Sequence, residues 1–555
     1  MRQFFLFSVL LAMSCCGVPN NTDESPNELQ HSTSLAELRK KQMQATSPDG
    51  QLNLAFTRSG DGKILYELSM NGTTLISPSS LGFTLRSQGK ESKDFAIEAV
   101  KVTQSSESYN LPWGIVDQVN APYTELQLSL KHVPKKFKFK LEARVFDDGI
   151  GIRYVFPRQM NLSFPKDTMR IIEEHTEFNI VGDPLVNWGP GDWASHENPL
   201  ELTLRSQINA TKYNALETLP EHKVPNNAVM TPVSMHLKGG VHLSIHEAGP
   251  TDYPEMTLAV TPTGFITILE GTESRVAKAV VKLPFNTPWR TIAVEDRAID
   301  LVTNMLAVSL SDSNSYLRNP YRFNKMVAPS IATEYDTLND YSQASKLTQL
   351  SSIAYTRGLD SPYDFSARFG SIDVEGKSEE EIQLMLGAFV GACVILHAPA
   401  GEKLAVPAYL DQVESEVKSV NGTPIPLEIL QRSRQNTPLH RYVKEVATAW
   451  DDTYPLAGEL GQYLALARKV KGRDEYFIGG VTADEDQELA VPLNFLQDSI
   501  SYEFSLIDAT HDNSKNDGML RPTFKNSFVR RGDTINITMK KGSGFGGIIG
   551  MGVAE

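Results

Sequence analysis

The sequence predicts a mixed β and α/β protein, with a large antiparallel β-sandwich first, a mixed α/β centre next and a smaller β-sandwich last. Three features predict it. Short alternating or β-branched runs, punctuated by turn residues, fill the chain from Thr46 to about Ala293. The pattern changes after Pro288-Trp289, where Glu379-Glu380-Glu381 opens the apolar run Ile382 to Val390, as in a helix with acids in its first turn. From Ala449 the β pattern returns and runs to the end of the chain.

Taken in order, Met1 to Gly17 reads as an export signal, with Arg2 as the basic start and Phe4 to Met13 as an apolar stretch too short to span a bilayer. Leu11-Ala12-Met13-Ser14-Cys15-Cys16 resembles a bacterial lipoprotein signal, with Ala12 where leucine is usual. Lipid anchoring and simple secretion are therefore both open, and the expected location is exported: the periplasm, or the outer membrane of a bacterium as a lipoprotein. Residues 18–45 are polar and rich in Asn, Ser and Glu, as in a flexible tether.

The first sandwich is expected over residues 46–293. Its strands include Gln51 to Thr57, Ile64 to Met70, Glu125 to His132, Phe137 to Phe146 and Gly151 to Phe156. Asn71-Gly72 and Asp148-Gly149 read as hairpin turns, because these pairs tolerate positive φ. Residues 294–449 form the centre: Ser311 to Tyr341 shows no clear period, while Lys403 to Asn436 contains helical stretches. The second sandwich is expected over 450–555, with strands at Leu464 to Arg468, Tyr476 to Val481, Glu488 to Leu493, Ser501 to Asp508 and Asp533 to Met539. The tail Gly542 to Gly552 carries Phe545, Ile548, Ile549 and Met551 among its glycines, so it reads as a last strand packed closely on its neighbours.

Composition narrows the function classes. The chain has 555 residues, enough for three to four domains at the usual size. Lys plus Arg number 53 against 67 Asp plus Glu, a net charge of −14, which disfavours a nucleic-acid partner, since phosphate binding needs a basic stripe. Three cysteines give no disulfide framework, and Cys393 lies in an apolar run as an inert buried thiol would. The histidines lack zinc-ligand spacing, and no nucleophile elbow, phosphate loop or dinucleotide fingerprint occurs.

Several runs, in order, resemble glycoside hydrolase family 97, the calcium-dependent α-glucosidases and α-galactosidases of bacterial polysaccharide use. They are Ser47-Pro48-Asp49-Gly50, Ser80-Leu81-Gly82, Arg144 to Tyr154, His246-Glu247-Ala248, Asp252-Tyr253-Pro254 and Thr287-Pro288-Trp289-Arg290. Further on come Thr356-Arg357-Gly358-Leu359, Pro362-Tyr363-Asp364-Phe365, Trp450-Asp451-Asp452-Thr453 and Tyr476-Phe477-Ile478-Gly479. The resemblance implies an N-terminal β-super-sandwich, a central (β/α)₈ barrel and a C-terminal β-sandwich. Only 160 residues lie between Trp289 and Trp450. A complete barrel takes about 250, so the centre is expected to be a reduced, barrel-like region.

Glycoside hydrolysis uses two carboxyl groups, one protonating the leaving oxygen and one activating water or attacking the anomeric carbon. By the resemblance, Glu334 in Thr333-Glu334-Tyr335-Asp336 matches the general acid; as a bare sequence feature it is equally a solvated loop carboxylate. Family members carry a calcium-binding glutamate six positions before the acid, where this chain has Ala328. Glu197 in His196-Glu197-Asn198-Pro199 resembles the calcium ligand contributed by the N-terminal sandwich. One carboxylate does not hold Ca2+ alone. Trp188 and Trp193 suit either a sugar-stacking platform or a plug between sandwich and centre. Glu247 suits either substrate hydroxyls or backbone donors, and Asp364 either a barrel strand end or a turn cap.

The expected function is an exported glycoside hydrolase cleaving α-glycosidic bonds of oligosaccharides or polysaccharides with Glu334 as proton donor. Two alternatives stand beside it: a catalytically impaired carbohydrate-binding relative, and a structural or chaperone-like surface protein with no sugar ligand.

Overall fold

The computed structural model describes residues 43–86, 91–110, 115–159, 167–191, 193, 200–213, 224, 227–249, 253–270, 277–311, 450–511 and 522–551, with positions 384, 387, 390, 391, 394, 419–420 and 423–424 between them. The expected export signal, lipid-anchor cysteines, most of the reduced barrel-like centre, Cys393, Glu197, Glu334 and Asp364 lie outside the described residues, as does the expected tether up to residue 42. Its last residues, Gln44 and Ala45, instead belong to the strand Gln44–Thr46, paired with Leu52–Arg58.

The N-terminal unit is two large antiparallel sheets face to face. One has eight strands, in the order Gln44–Thr46, Leu52–Arg58, Ile64–Met70, Thr73–Leu81, Glu177–Ile180, Gly264–Leu269, Met256–Thr261, Ala228–Val229. The other has ten: nine run from Glu201–Leu204 through Leu185–Trp188, Val233–His236, His242–Ala248, Trp289–Glu295, Gly149–Phe156, Lys138–Phe146 and Gln118–His132 to Phe95–Asn110, and the short Phe285–Asn286 also pairs with Gly149–Phe156. Strands such as Leu52–Arg58 alternate buried and half-buried residues because only one face meets the other sheet. Leu54, Phe56, Leu68, Leu126, Leu128 and Ile152 meet in one continuous core.

Asn71 and Gly72 sit at φ 49° and 79° and join Ile64–Met70 to Thr73–Leu81, as their chemistry predicts. The second expected turn is shifted. Phe146 pairs with Gly149, so Asp147 and Asp148 form the turn and Gly149 already belongs to the strand. The reason is close packing: a Cβ on Gly149 would lie 2.5 Å from the Ile292 carbonyl oxygen and 2.8 Å from Leu306 Cδ2.

The back of the ten-stranded sheet is also covered. The short helices Asp300–Thr303 and Leu306–Leu310 lay Leu301, Leu306 and Leu310 on Tyr123, Phe146, Ala248 and Trp289. The Trp289 ring is flanked by the guanidiniums of Arg144, 5.2 Å away, and Arg153, 4.1 Å away. The packing of the N-terminal unit thus continues past residue 293 to Leu310.

The C-terminal unit is a six-stranded antiparallel sheet, Trp450–Glu459, Tyr463–Val470, Tyr476–Thr482, Gly544–Met551, Tyr502–His511, Pro522–Val529, with the pair Gln487–Pro492 and Thr534–Met539 over its core. The Gly-rich tail is a strand inside this sheet, between Tyr476–Thr482 and Tyr502–His511. Leu384, Gly387, Val390, Gly391 and Val394 are helical, and all but Leu384 are buried. Gly387 lies against Ser543 and Gly544, Gly391 against the Gly480 carbonyl, and a Cβ on Gly479 would meet Val394 Cβ at 2.8 Å. The glycines on both sides let helix and sheet backbones touch. Gly391→Val is therefore expected to lower C-terminal stability by about 1–3 kcal/mol, the usual cost of overpacking, seen in a thermal unfolding scan; an unchanged transition would show that this contact is not tight.

The two units meet at the far end of the long hairpin formed by Phe95–Asn110 and Gln118–His132. Thr453 Oγ1 donates to Ile115 O at 2.7 Å, and Asp117 N donates to Asp451 O at 3.2 Å. On the same end, Val119 packs with Val308 and Met305. The chain therefore leaves the N-terminal unit and enters the C-terminal one beside the same hairpin tip.

Candidate functional site

Of the residues singled out for chemistry, Glu247, Trp188 and Trp193 are described, and all three are interior. Glu247 lies on His242–Ala248, opposite Arg290 on Trp289–Glu295, and both side chains enter the space between the sheets. Arg290 is 2% exposed, Glu174 1% and Glu247 6%. Arg290 Nε and Nη2 donate to the two oxygens of Glu174 at 2.8 and 2.7 Å, while Nη1 donates to Glu247 Oε2 at 2.5 Å. Thr176 and Tyr253 hydroxyls donate to Glu174 at 2.8 and 3.2 Å, and Met256 N donates to Glu247 Oε1 at 3.2 Å. One guanidinium thus bridges two carboxylates from different sheets, with each remaining acceptor met by a donor.

The electrostatics divide the two acids. Burial pushes both carboxyls up. At Glu174 the doubly bonded Arg290 outweighs burial and the group falls below its ordinary value. At Glu247 burial wins and the group stays above it. The Tyr253 phenol is pushed well up by burial and by the Glu174 charge. This cluster positions strands; Glu247 acts through Arg290 and the Met256 backbone.

Trp193 is 8% exposed and packs with Val224, Ala228, Ala259 and Ile268. Its indole donates to Thr257 Oγ1 at 3.0 Å, next to the Met256 amide that Glu247 holds. Trp188 is buried as well, and its indole donates to Thr203 Oγ1 at 2.9 Å. Glu174 and Tyr253 were not picked out by type or spacing; the runs that include Tyr253 and Arg290 were the available signal, and Glu174 has none.

A second carboxyl cluster lies where the chain leaves the ten-stranded sheet. Asn304 Nδ2 donates to Glu295 Oε1 at 2.7 Å and to Asp148 O at 3.0 Å, while its Oδ1 accepts from Leu306 N at 3.0 Å. Burial, with the neighbouring Asp148, Asp300 and Asp296 charges, pushes Glu295 up to about 8. Burial pushes Asp148 up to about 6, with Asp147 adding to it. Among the described residues, no group of three or more His, Cys, Asp or Glu side chains is placed to hold a metal ion. The described donors therefore offer no calcium cage.

Two sequence models of one family match the chain. Residues 45–313 match the sequence model of the glycosyl-hydrolase 97 N-terminal domain, and residues 449–549 match that of the glycosyl-hydrolase 97 C-terminal, oligomerisation domain. A retaining alpha-galactosidase of Bacteroides thetaiotaomicron is 23% identical over 288 residues, covering 49% of this chain and 41% of that protein. A probable retaining alpha-galactosidase of Streptomyces bingchenggensis is 32% identical over 136 residues, 24% of this chain and 18% of its own length. The matched stretches thus span well under half the length of these relatives. Among solved structures, a glycoside hydrolase family 97 enzyme from Pseudoalteromonas sp. strain K8, in complex with acarbose, superimposes with a TM-score of 0.61 at 16% identity, over 92% of this chain and 100% of that one. A beta-arabinopyranosidase gives 0.58 at 14% identity, over 91% and 99%. At these identities the superpositions show the fold, and the two matched domains, in order at both ends, show that the chain belongs to glycoside hydrolase family 97.

Proposed function

We propose that the protein is an exported glycoside hydrolase that cleaves α-glycosidic bonds of oligosaccharides, with Glu334 as the proton donor. The observation that carries this is the pair of family 97 domains bracketing the segment that contains Glu334. The described residues on either side of that segment, Val308 and Thr453, both lie against the same hairpin tip. In this reading Glu334 protonates the glycosidic oxygen as the bond to the anomeric carbon breaks, and a second carboxylate takes the opposite face. Asp364, and Asp360 directly after the run Thr356-Arg357-Gly358-Leu359, are the carboxylates to test, since Glu247 is already committed to Arg290. The named alpha-galactosidase relatives, both called retaining, make an α-galactoside with a retaining outcome the first substrate to try. Glu197 is proposed as a calcium ligand. Residues 449–549 are proposed to self-associate, in keeping with the oligomerisation named for their domain.

The test is hydrolysis of aryl α-galactosides and α-glucosides by the mature chain, with calcium and with chelator. Turnover is expected, and Glu334→Gln is expected to lower kcat by roughly 10²–10⁴, the usual contribution of a general acid. Turnover unchanged by Glu334→Gln would remove the assigned acid. The short centre favours a second reading, carbohydrate binding without hydrolysis, because 160 residues stand where a barrel takes about 250. A folded chain that binds glycans on a sugar array without cleaving them would select it.

A further inference from the structure

We infer that the strand Pro522–Val529 is the seam at which two copies of this chain join, edge to edge and antiparallel, with Phe528 as the apolar anchor. The inference deepens the proposed self-association and rests on it. The six-stranded C-terminal sheet has two edges, Trp450–Glu459 and Pro522–Val529. The first is covered by the N-terminal unit, through the Thr453–Ile115 and Asp117–Asp451 hydrogen bonds and the approach of Gly458 to Ile299. The second pairs, among the described residues, only with Tyr502–His511.

Lys525, Asn526, Ser527 and Phe528 are all exposed along that edge. Phe528, at 72%, is the most exposed of the large apolar side chains among the described residues. An eight-residue edge with an outward aromatic is a ready template for another strand, which proteins otherwise blunt or cover. A second copy of the same edge satisfies both the backbone groups and the ring, and a twofold arrangement closes the assembly at two chains.

The chemistry also suits self-pairing. With the twofold axis through Asn526, residue 528 falls opposite position 524 and Lys525 opposite position 527, so no like charge faces itself. The neutral Asn526 and Ser527 occupy the centre. The partner is therefore another copy of this chain.

Sedimentation velocity of the full chain over about 1–100 μM, where a dimer of ordinary affinity separates from its monomer, tests this. The wild type is expected to be a dimer. Phe528→Glu and Asn526→Lys are each expected to weaken it at least about tenfold with an unchanged thermal transition, as for a truncated anchor. Val102→Glu, on the Phe95–Asn110 edge where Val102 is 46% exposed, is the control and is expected to remain dimeric. A monomeric wild type would overturn the self-association and the seam together. A dimer that survives both seam variants, or one lost in Val102→Glu, would overturn the seam and leave self-association standing.

Discussion

Arg290→Met is expected to destabilise the N-terminal unit by about 3–5 kcal/mol, the usual cost of removing one partner from a buried ionic cluster. Arg290, Glu174 and Glu247 are almost wholly enclosed, and the change leaves two carboxyls in the interior without their cation. For a unit of this size that is roughly a 10 °C fall in the midpoint of its transition by scanning calorimetry. The loss has a pH signature. Without Arg290, burial outweighs the remaining hydrogen bonds from Thr176, Tyr253 and the Met256 amide, and both Glu174 and Glu247 fold best protonated. The deficit of the variant is therefore expected to shrink as pH falls towards the ordinary glutamate range and to grow towards neutrality. In the wild type Glu174 is depressed, so its contribution is present above the unfolded value near 4.5 and is lost as pH falls through its folded value. Adding Glu174→Gln and Glu247→Gln to Arg290→Met removes the uncompensated charges and is expected to recover part of the loss. A triple variant no better than Arg290→Met would show that packing of the guanidinium, and not charge, holds the sheets together.

Glu295→Gln is expected to stabilise the protein at alkaline pH and to change little at acid pH. Burial pushes Glu295 up to about 8 in the folded chain from an ordinary value of 4.5. A group raised in this way contributes its stability below 4.5 and loses it as pH climbs from 4.5 to 8, because ionisation must then occur beside Asp148, Asp296 and Asp300. At about 1.4 kcal/mol per pH unit the wild-type loss is on the order of 5 kcal/mol. Glutamine has no charge to desolvate, and its amide oxygen still accepts from Asn304. Thermal midpoints of the two proteins should coincide near pH 4.5 and diverge above pH 7, with the variant higher. Parallel curves would mean that Glu295 is not raised, and that the clasp tying Asp148, Glu295 and Leu306 through Asn304 is more open to water than its hydrogen bonds indicate.

Much of the strand pattern was readable from the chain, and for local reasons. Ile64–Met70 has the expected limits, and Lys138–Phe146 and Thr534–Met539 differ from expectation by one residue at the start, because two-residue alternation is a short-range signal. Asn71-Gly72 works as a turn because its φ values are a property of those two residues. Asp148-Gly149 failed by one position because Gly149 answers to Ile292 and Leu306, which are remote in sequence. The full sixteen-residue strand Phe95–Asn110 was missed: its outer half, from Lys101 to Ser108, is polar and mostly exposed and buries too little to show an apolar period.

The site divides in the same way. The chain chemistry alone was enough for the β character of both ends, their order, the acidic surface and the family 97 resemblance, since composition, periodicity and ordered motifs are carried along the strand of residues itself. Only the folded arrangement decided that Glu247 holds Arg290 and Met256, that Glu174, 116 positions from Arg290, shares that guanidinium, and that Trp193 turns its indole to Thr257. It also decided that the Gly-rich tail becomes an inner strand whose glycines admit Gly387 and Gly391. Which partner a buried charge or a bare backbone meets depends on how sheets distant in sequence are laid face to face, and no local spacing encodes that.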